Sequence, residues 1–91
     1  MYKTLFVDDE RLIREGISNL IDWERITGQE LTLAENAKVA LKYLEHEKYE
    51  IVISDIYMQD MNGMDVAKTI RKTNATIKIL FLTSSPDFAV E

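Results

Sequence analysis

Residues 51–55 read Ile51-Val52-Ile53-Ser54-Asp55, an apolar, β-branched run that stops on a carboxylate. β-Branched residues favour strands, and a short apolar run bounded by polar residues fits a strand buried inside a sheet. A strand is therefore expected over residues 50–54, with Asp55 at its carboxyl end. The same pattern occurs upstream, where Tyr2-Lys3-Thr4-Leu5-Phe6-Val7 breaks off into Asp8-Asp9-Glu10. It occurs again downstream, where Ile77-Lys78-Ile79-Leu80-Phe81-Leu82 gives way to the hydroxyls Thr83, Ser84 and Ser85. In an open parallel sheet the carboxyl ends of the strands share one edge, and ligands bind in the crevice there. Asp8, Asp9, Asp55 and a hydroxyl are thus expected in one small volume. Carboxylates that close repel unless a cation joins them. A hard, oxygen-binding ion fits such a set, which points to magnesium.

Between these runs the pattern alternates with helices. Strand one spans residues 2–7, and a helix is expected from Glu10 to Ile21, with Ile13, Ile17 and Leu20 spaced to share one buried face. Asp22 to Gly28 reads as a loop anchored by Trp23 and Ile26. Leu31 and Leu33 alternate with polar neighbours over residues 30–34, as on an edge strand. Asn36 is the expected N-cap of a helix that carries Ala37, Ala40, Leu41 and Leu44 inward. A loop from Ile56 to Gly63 leads into a third helix ending near Thr73, with Val66, Ala67 and Ile70 facing the core. Strand four covers residues 77–82. Strands alternating with helices of this length imply right-handed βαβ units and a parallel sheet, an α/β domain.

Composition narrows the class of function. Ninety-one residues, 46% apolar and 30% charged, describe one small globular domain, residues 1–91. A net charge of −5 with scattered lysines and arginines weighs against a nucleic-acid surface. The absence of cysteine excludes disulfides and thiolate metal sites. No apolar stretch approaches the roughly 20 residues of a membrane helix, and the N-terminus does not read as a signal peptide. No membrane association is expected, and the cytoplasm is the expected compartment. His46, the single histidine, sits in the charged run Glu45-His46-Glu47-Lys48, so no Ser-His-Asp triad is available and solvent exposure is expected. Gly16, Gly28 and Gly63 are too far apart to form a phosphate-cradling loop. Met58, Met61 and Met64 read as core or loop packing.

Aspartates between a strand and a helix commonly cap that helix, so Asp8 and Asp9 admit a purely structural reading. Asp55 shifts the balance towards a site, because it ends a second strand and precedes a long loop. The set resembles the receiver domain of two-component response regulators: an acidic pair after strand one, a phosphoacceptor aspartate ending strand three, and Thr83 ending strand four. Ser54-Asp55-Ile56-Tyr57-Met58, followed by Met61-Asn62-Gly63-Met64-Asp65, is similar to that family's loop after the phosphoacceptor. Ile21-Asp22-Trp23 and Ser85-Pro86-Asp87-Phe88 look most like regulators carrying an AraC-like DNA-binding output domain.

The resemblance implies a three-layer, doubly wound flavodoxin-like sheet of order 2-1-3-4. It implies that Asp55 accepts a phosphoryl group from a sensor histidine kinase. Magnesium would be held by Asp9 and Asp55, by Asp8 through water, and by the backbone carbonyl of Tyr57. Thr83 would donate its hydroxyl to a phosphoryl oxygen, and the backbone N–H of Ser84 would reach another. Positive charge and in-line positioning are what transfer of an anion to an anion needs. Phosphorylation, by adding nearly two negative charges, would start the switch at Thr83. An output domain that binds DNA is expected beyond residue 91. Gln59 departs from the family's usual proline. The family's fifth strand and fifth helix, with their lysine and switching aromatic, are expected to be missing, which leaves strand four as an edge able to self-associate. Lys78, five residues before Thr83, is roughly 16 Å away at strand spacing and cannot replace that lysine; Lys3 is as far from Asp8. A magnesium-dependent aspartyl phosphohydrolase is the rival reading, opposed by Tyr57 where such enzymes need a second carboxylate. A non-phosphorylated interaction module is the third.

Overall fold

The computed structural model describes residues 2–56, 58, 62–73 and 76–82. In chain order the elements are β1 (Thr4–Val7), α1 (Arg11–Leu20), α2 (Trp23–Thr27), β2 (Thr32–Ala34), α3 (Ala37–His46), β3 (Ile51–Asp55), α4 (Gly63–Thr73) and β4 (Lys78–Leu82). The four strands are all parallel, in the order β2-β1-β3-β4. This is the expected doubly wound sheet. Register pairs Val7 with Ser54 and Ser54 with Phe81, so β1, β3 and β4 end together at one edge.

Strand direction decides the layers. The step from β1 to β2 runs one way across the sheet, and the steps to β3 and β4 run the other way. With right-handed crossovers, helices of opposite steps lie on opposite faces. Leu5, Val7 and Val52 accordingly share a core with Ala37 and Ala40 of α3 and with Val66 and Ile70 of α4. Phe6, fully buried, alternates to the opposite face, the side of the α1 crossover. Asn36 caps α3 as expected, its Oδ1 accepting from the Val39 N–H at 2.8 Å. Tyr49 closes the amino edge of the sheet. Its hydroxyl donates to Glu47 at 3.0 Å, and Glu47 also pairs with Lys3 at 2.7 Å.

Two expectations need correction. Residues 22–28 do not form a loop but contain α2. Asp22 Oδ1 accepts from the Arg25 N–H at 3.2 Å, and Gly28, at φ 86°, takes the left-handed conformation that ends the helix. Such a cap pair, enclosing five residues, encodes a short helix too brief to show periodicity. Trp23 anchors it as expected, its indole N–H donating to the Ile17 carbonyl at 2.9 Å. Ile26 is exposed. The second correction is α1, which has no fully buried residue, with Leu20 at 82% exposure. Periodicity states which side chains share a face, not how far a neighbouring element extends beneath them.

Candidate metal centre

β1 and β3 lie side by side, and the residues just past Val7 and Ser54 meet at the carboxyl edge. Asp8, Asp9 and Asp55 each offer a carboxylate oxygen there, all within 4.8 Å of one another. Each fully ionised pair at that separation repels by on the order of 3 kcal/mol at an effective dielectric constant of about 20. Repulsion of that size favours a proton or a cation at the site. Asp8 registers it. Burial pushes its carboxyl above the ordinary value, the N–H of Glu10 pulls it partly back, and the charges of Asp55, Asp9 and Glu10 push it up again.

The helix-capping reading of Asp8 is not what the geometry holds. The N-cap of α1 is Glu10, with no side-chain cap bond. Asp8 Oδ1 instead accepts from the Glu10 N–H at 2.9 Å, a local turn that ties the carboxylate to the backbone two residues on. The N–H of Asp8 donates to the Ala34 carbonyl at 3.1 Å, which extends the β1–β2 ladder. Its carbonyl accepts from Arg14 Nη1 at 2.8 Å. Asp8 is therefore held at its N–H, its carbonyl and its carboxylate.

The other wall is built by the return of the chain to α4. Gly63 donates its N–H to the Ile56 carbonyl at 2.7 Å. A Cβ on Gly63 would meet the Asp55 carbonyl oxygen at 2.4 Å, so only glycine allows this approach. Asn62 Oδ1 accepts from the Asp65 N–H at 3.1 Å and starts the helix. Neither Arg14 nor Gly63 was singled out for the site from sequence. The signal for Gly63 was its place between the loop and a helix start. Arg14 gives none, because a contact six residues long needs the turn to be known.

An all-oxygen set of carboxylates fits a hard divalent ion. Oxygens on opposite sides of a magnesium ion stand about 4.2 Å apart, so the cluster is close to direct ligation by some members and ligation through water by others. Lys3 and Lys78 line a groove at the opposite, amino edge of the sheet, and neither reaches the cluster, as expected. Tyr57, Thr83 and Ser84, together with Gln59 and Met61, lie outside the described residues. His46 is exposed, Met58 packs against the core and Met64 is 45% exposed. No helix among the described residues is long and apolar enough to cross a membrane.

An acid cluster at the carboxyl edge of a doubly wound parallel sheet is the frame on which receiver domains are built, and comparison with known proteins agrees. The response regulator receiver domain family matches residues 4–90, and the chain belongs to that family. It is 31% identical over 88 residues to the uncharacterized transcriptional regulatory protein YesN of Bacillus subtilis, covering 97% of this chain and 24% of YesN. The chain thus spans about a quarter of that relative. Among solved structures it is similar to the response regulator TrrA of Thermotoga maritima in complex with magnesium and beryllium fluoride. There the identity is 37% and the TM-score 0.84, over 100% of this chain and 76% of that one. A second similar structure is the complex of TrrA with the histidine kinase ThkA, at 40% identity and a TM-score of 0.80, covering 92% of this chain and 70% of that one.

Proposed function

We propose that this receiver domain takes a phosphoryl group from the phosphohistidine of a sensor histidine kinase onto Asp55, with magnesium at the acid cluster. The observation that carries the reading is the convergence of Asp8, Asp9 and Asp55 within 4.8 Å at the carboxyl ends of β1 and β3. In the transfer an Asp55 carboxylate oxygen forms a bond to phosphorus while the bond from phosphorus to the histidine nitrogen breaks. Magnesium supplies the positive charge that lets the two anions meet. Asp9 and Asp55 hold it directly, Asp8 through water, and the Tyr57 carbonyl completes the protein's share. Asp8, fixed by its own turn and ladder bonds, keeps the pair in register. The Thr83 hydroxyl and the Ser84 N–H donate to phosphoryl oxygens, and Thr83 moving towards the new charge starts the switch.

The ThkA complex supports a kinase as partner, and relatives such as YesN support transcriptional control through a DNA-binding output domain elsewhere in the protein. The domain itself signals rather than turning over a substrate, works in the cytoplasm and does not bind nucleic acid. The direct test of the phosphoacceptor is labelling with acetyl phosphate in magnesium. A chain extended to include the family's lysine should acquire one alkali-labile, hydroxylamine-sensitive acyl phosphate, and Asp55→Asn in that chain should acquire none. Equal labelling of the variant would remove Asp55 from the role.

A further inference from the structure

Arg14 stands where helix stability alone would not put it. It lies in the first turns of α1, its N–H donating to the Glu10 carbonyl at 3.1 Å. A cation near a helix N-terminus opposes the helix dipole. Its side chain also turns back past the start of the helix, and Nη1 donates to the carbonyl of Asp8 at 2.8 Å. That carbonyl belongs to the peptide joining Asp8 to Asp9, so holding it fixes the orientation of the link between two of the three clustered carboxylates. The other two bonds on Asp8 come from backbone groups, the Glu10 N–H and the Ala34 carbonyl. The Arg14 bond comes from a side chain and can be removed without altering the ladder.

We propose that Arg14 is a positioning residue for the divalent cation. By clamping the Asp8 carbonyl it sets the Asp8–Asp9 peptide, and hence the spacing at which these carboxylates receive the ion. Groups that orient metal ligands commonly change affinity by 10–100-fold when removed. The clamp and the charge of Arg14 act in opposite directions. As a nearby positive charge the guanidinium repels a cation, so its removal would tighten binding if charge were all that mattered. As a clamp its removal loosens binding.

The experiment is calorimetric titration of magnesium chloride into the parent chain, Arg14→Ala and Arg14→Gln, with melting curves in EDTA alongside. Arg14→Ala should weaken magnesium binding by roughly 10-fold or more. Arg14→Gln, which keeps an N–H donor and loses the charge, should recover part of that loss. Unchanged or tighter binding by folded Arg14→Ala would overturn the clamp, as would equal losses in the two variants. Should the alanine variant fail to fold, the glutamine variant alone decides: affinity within threefold of the parent supports the clamp, and a full 10-fold loss overturns it. The inference rests on the metal reading of the acid cluster. A parent chain that takes up no magnesium overturns both, whereas a parent that binds and an Arg14→Ala that binds equally overturns the clamp alone.

Discussion

Alanine at Gly63 should break the wall behind Asp55, and the same substitution at Gly16 should do the reverse. A Cβ at Gly63 falls 2.4 Å from the Asp55 carbonyl oxygen and 3.1 Å from both the Asp55 carbonyl carbon and the Ile56 Cα. Ordinary contact begins near 3.4 Å, so the two backbones must part by about 1 Å. Each obstructing atom is backbone, and one side of the contact is β3, paired to β1 and β4 along its length. The give is shared between α4, whose Val66 and Ile70 are seated in the core, and the Asp55–Ile56 peptide at the end of β3. Overpacking of this kind costs about 1–3 kcal/mol. At Gly16 a Cβ meets nothing within 4 Å, and alanine inside a helix is favoured over glycine by roughly 0.8–1.0 kcal/mol. Urea unfolding followed by the fluorescence of Trp23, the single tryptophan, reads both. Each kcal/mol should move the melting temperature by roughly 4–8 °C in a domain of this size. The 1 Å displacement also exceeds the roughly 0.5 Å tolerance of a preorganised site, so Gly63→Ala should weaken magnesium binding where Gly16→Ala leaves it unchanged. A Gly63→Ala chain as stable as the parent, with unaltered magnesium affinity, would refute the close approach.

Magnesium should stabilise the parent by mass action, by about 2.7 kcal/mol at a hundredfold excess over its dissociation constant. Asp9→Ala should lose most of that response and be more stable than the parent in EDTA; a melting temperature indifferent to magnesium would count against the cluster. Tyr49, pushed up to about 12 chiefly by burial, should contribute a step near that pH to an absorbance titration, and Tyr49→Phe should remove that step. Because its folded value lies above the ordinary 10.0, its contribution to stability is whole below pH 10 and is lost as the pH rises towards 12.

The strands and the carboxyl edge were legible because their signal is local and doubled. Ile51-Val52-Ile53 and Leu5-Phe6-Val7 each announce a buried strand, and each ends on an acid, so fold and cluster follow from the same residues. Asn36 and its helix were legible for the same reason, a cap followed by a clean period. What escaped depended on geometry that no periodicity carries. α2 is one turn long and shows only its caps. The stripe of α1 gave the shared face of Ile13, Ile17 and Leu20 but not what lies beneath it. The structural and metal-binding readings of Asp8 stayed open in sequence because both place an acid between a strand and a helix. The bond to Glu10, in place of a cap on α1, removes the capping form of the structural reading.

The charge distribution bears on why the cluster, on the proposed reading, would call for an outside cation. Lys3 is drawn to Glu47 and lies 5.4 Å from the Tyr49 ring centre at the amino edge, and Lys78 lines the same end of the sheet. A parallel sheet separates its two edges by the length of its strands, so these lysines cannot neutralise acids at the carboxyl edge. Arg14 brings a basic side chain to that edge, and it spends a donor on a carbonyl. A guanidinium bound directly to a carboxylate of the cluster would satisfy the charge permanently and close the site. Bound to the backbone, it orders the turn without setting its own charge on the carboxylates. On the proposed reading a divalent ion would take that place, and an arginine already seated on the acids would exclude it.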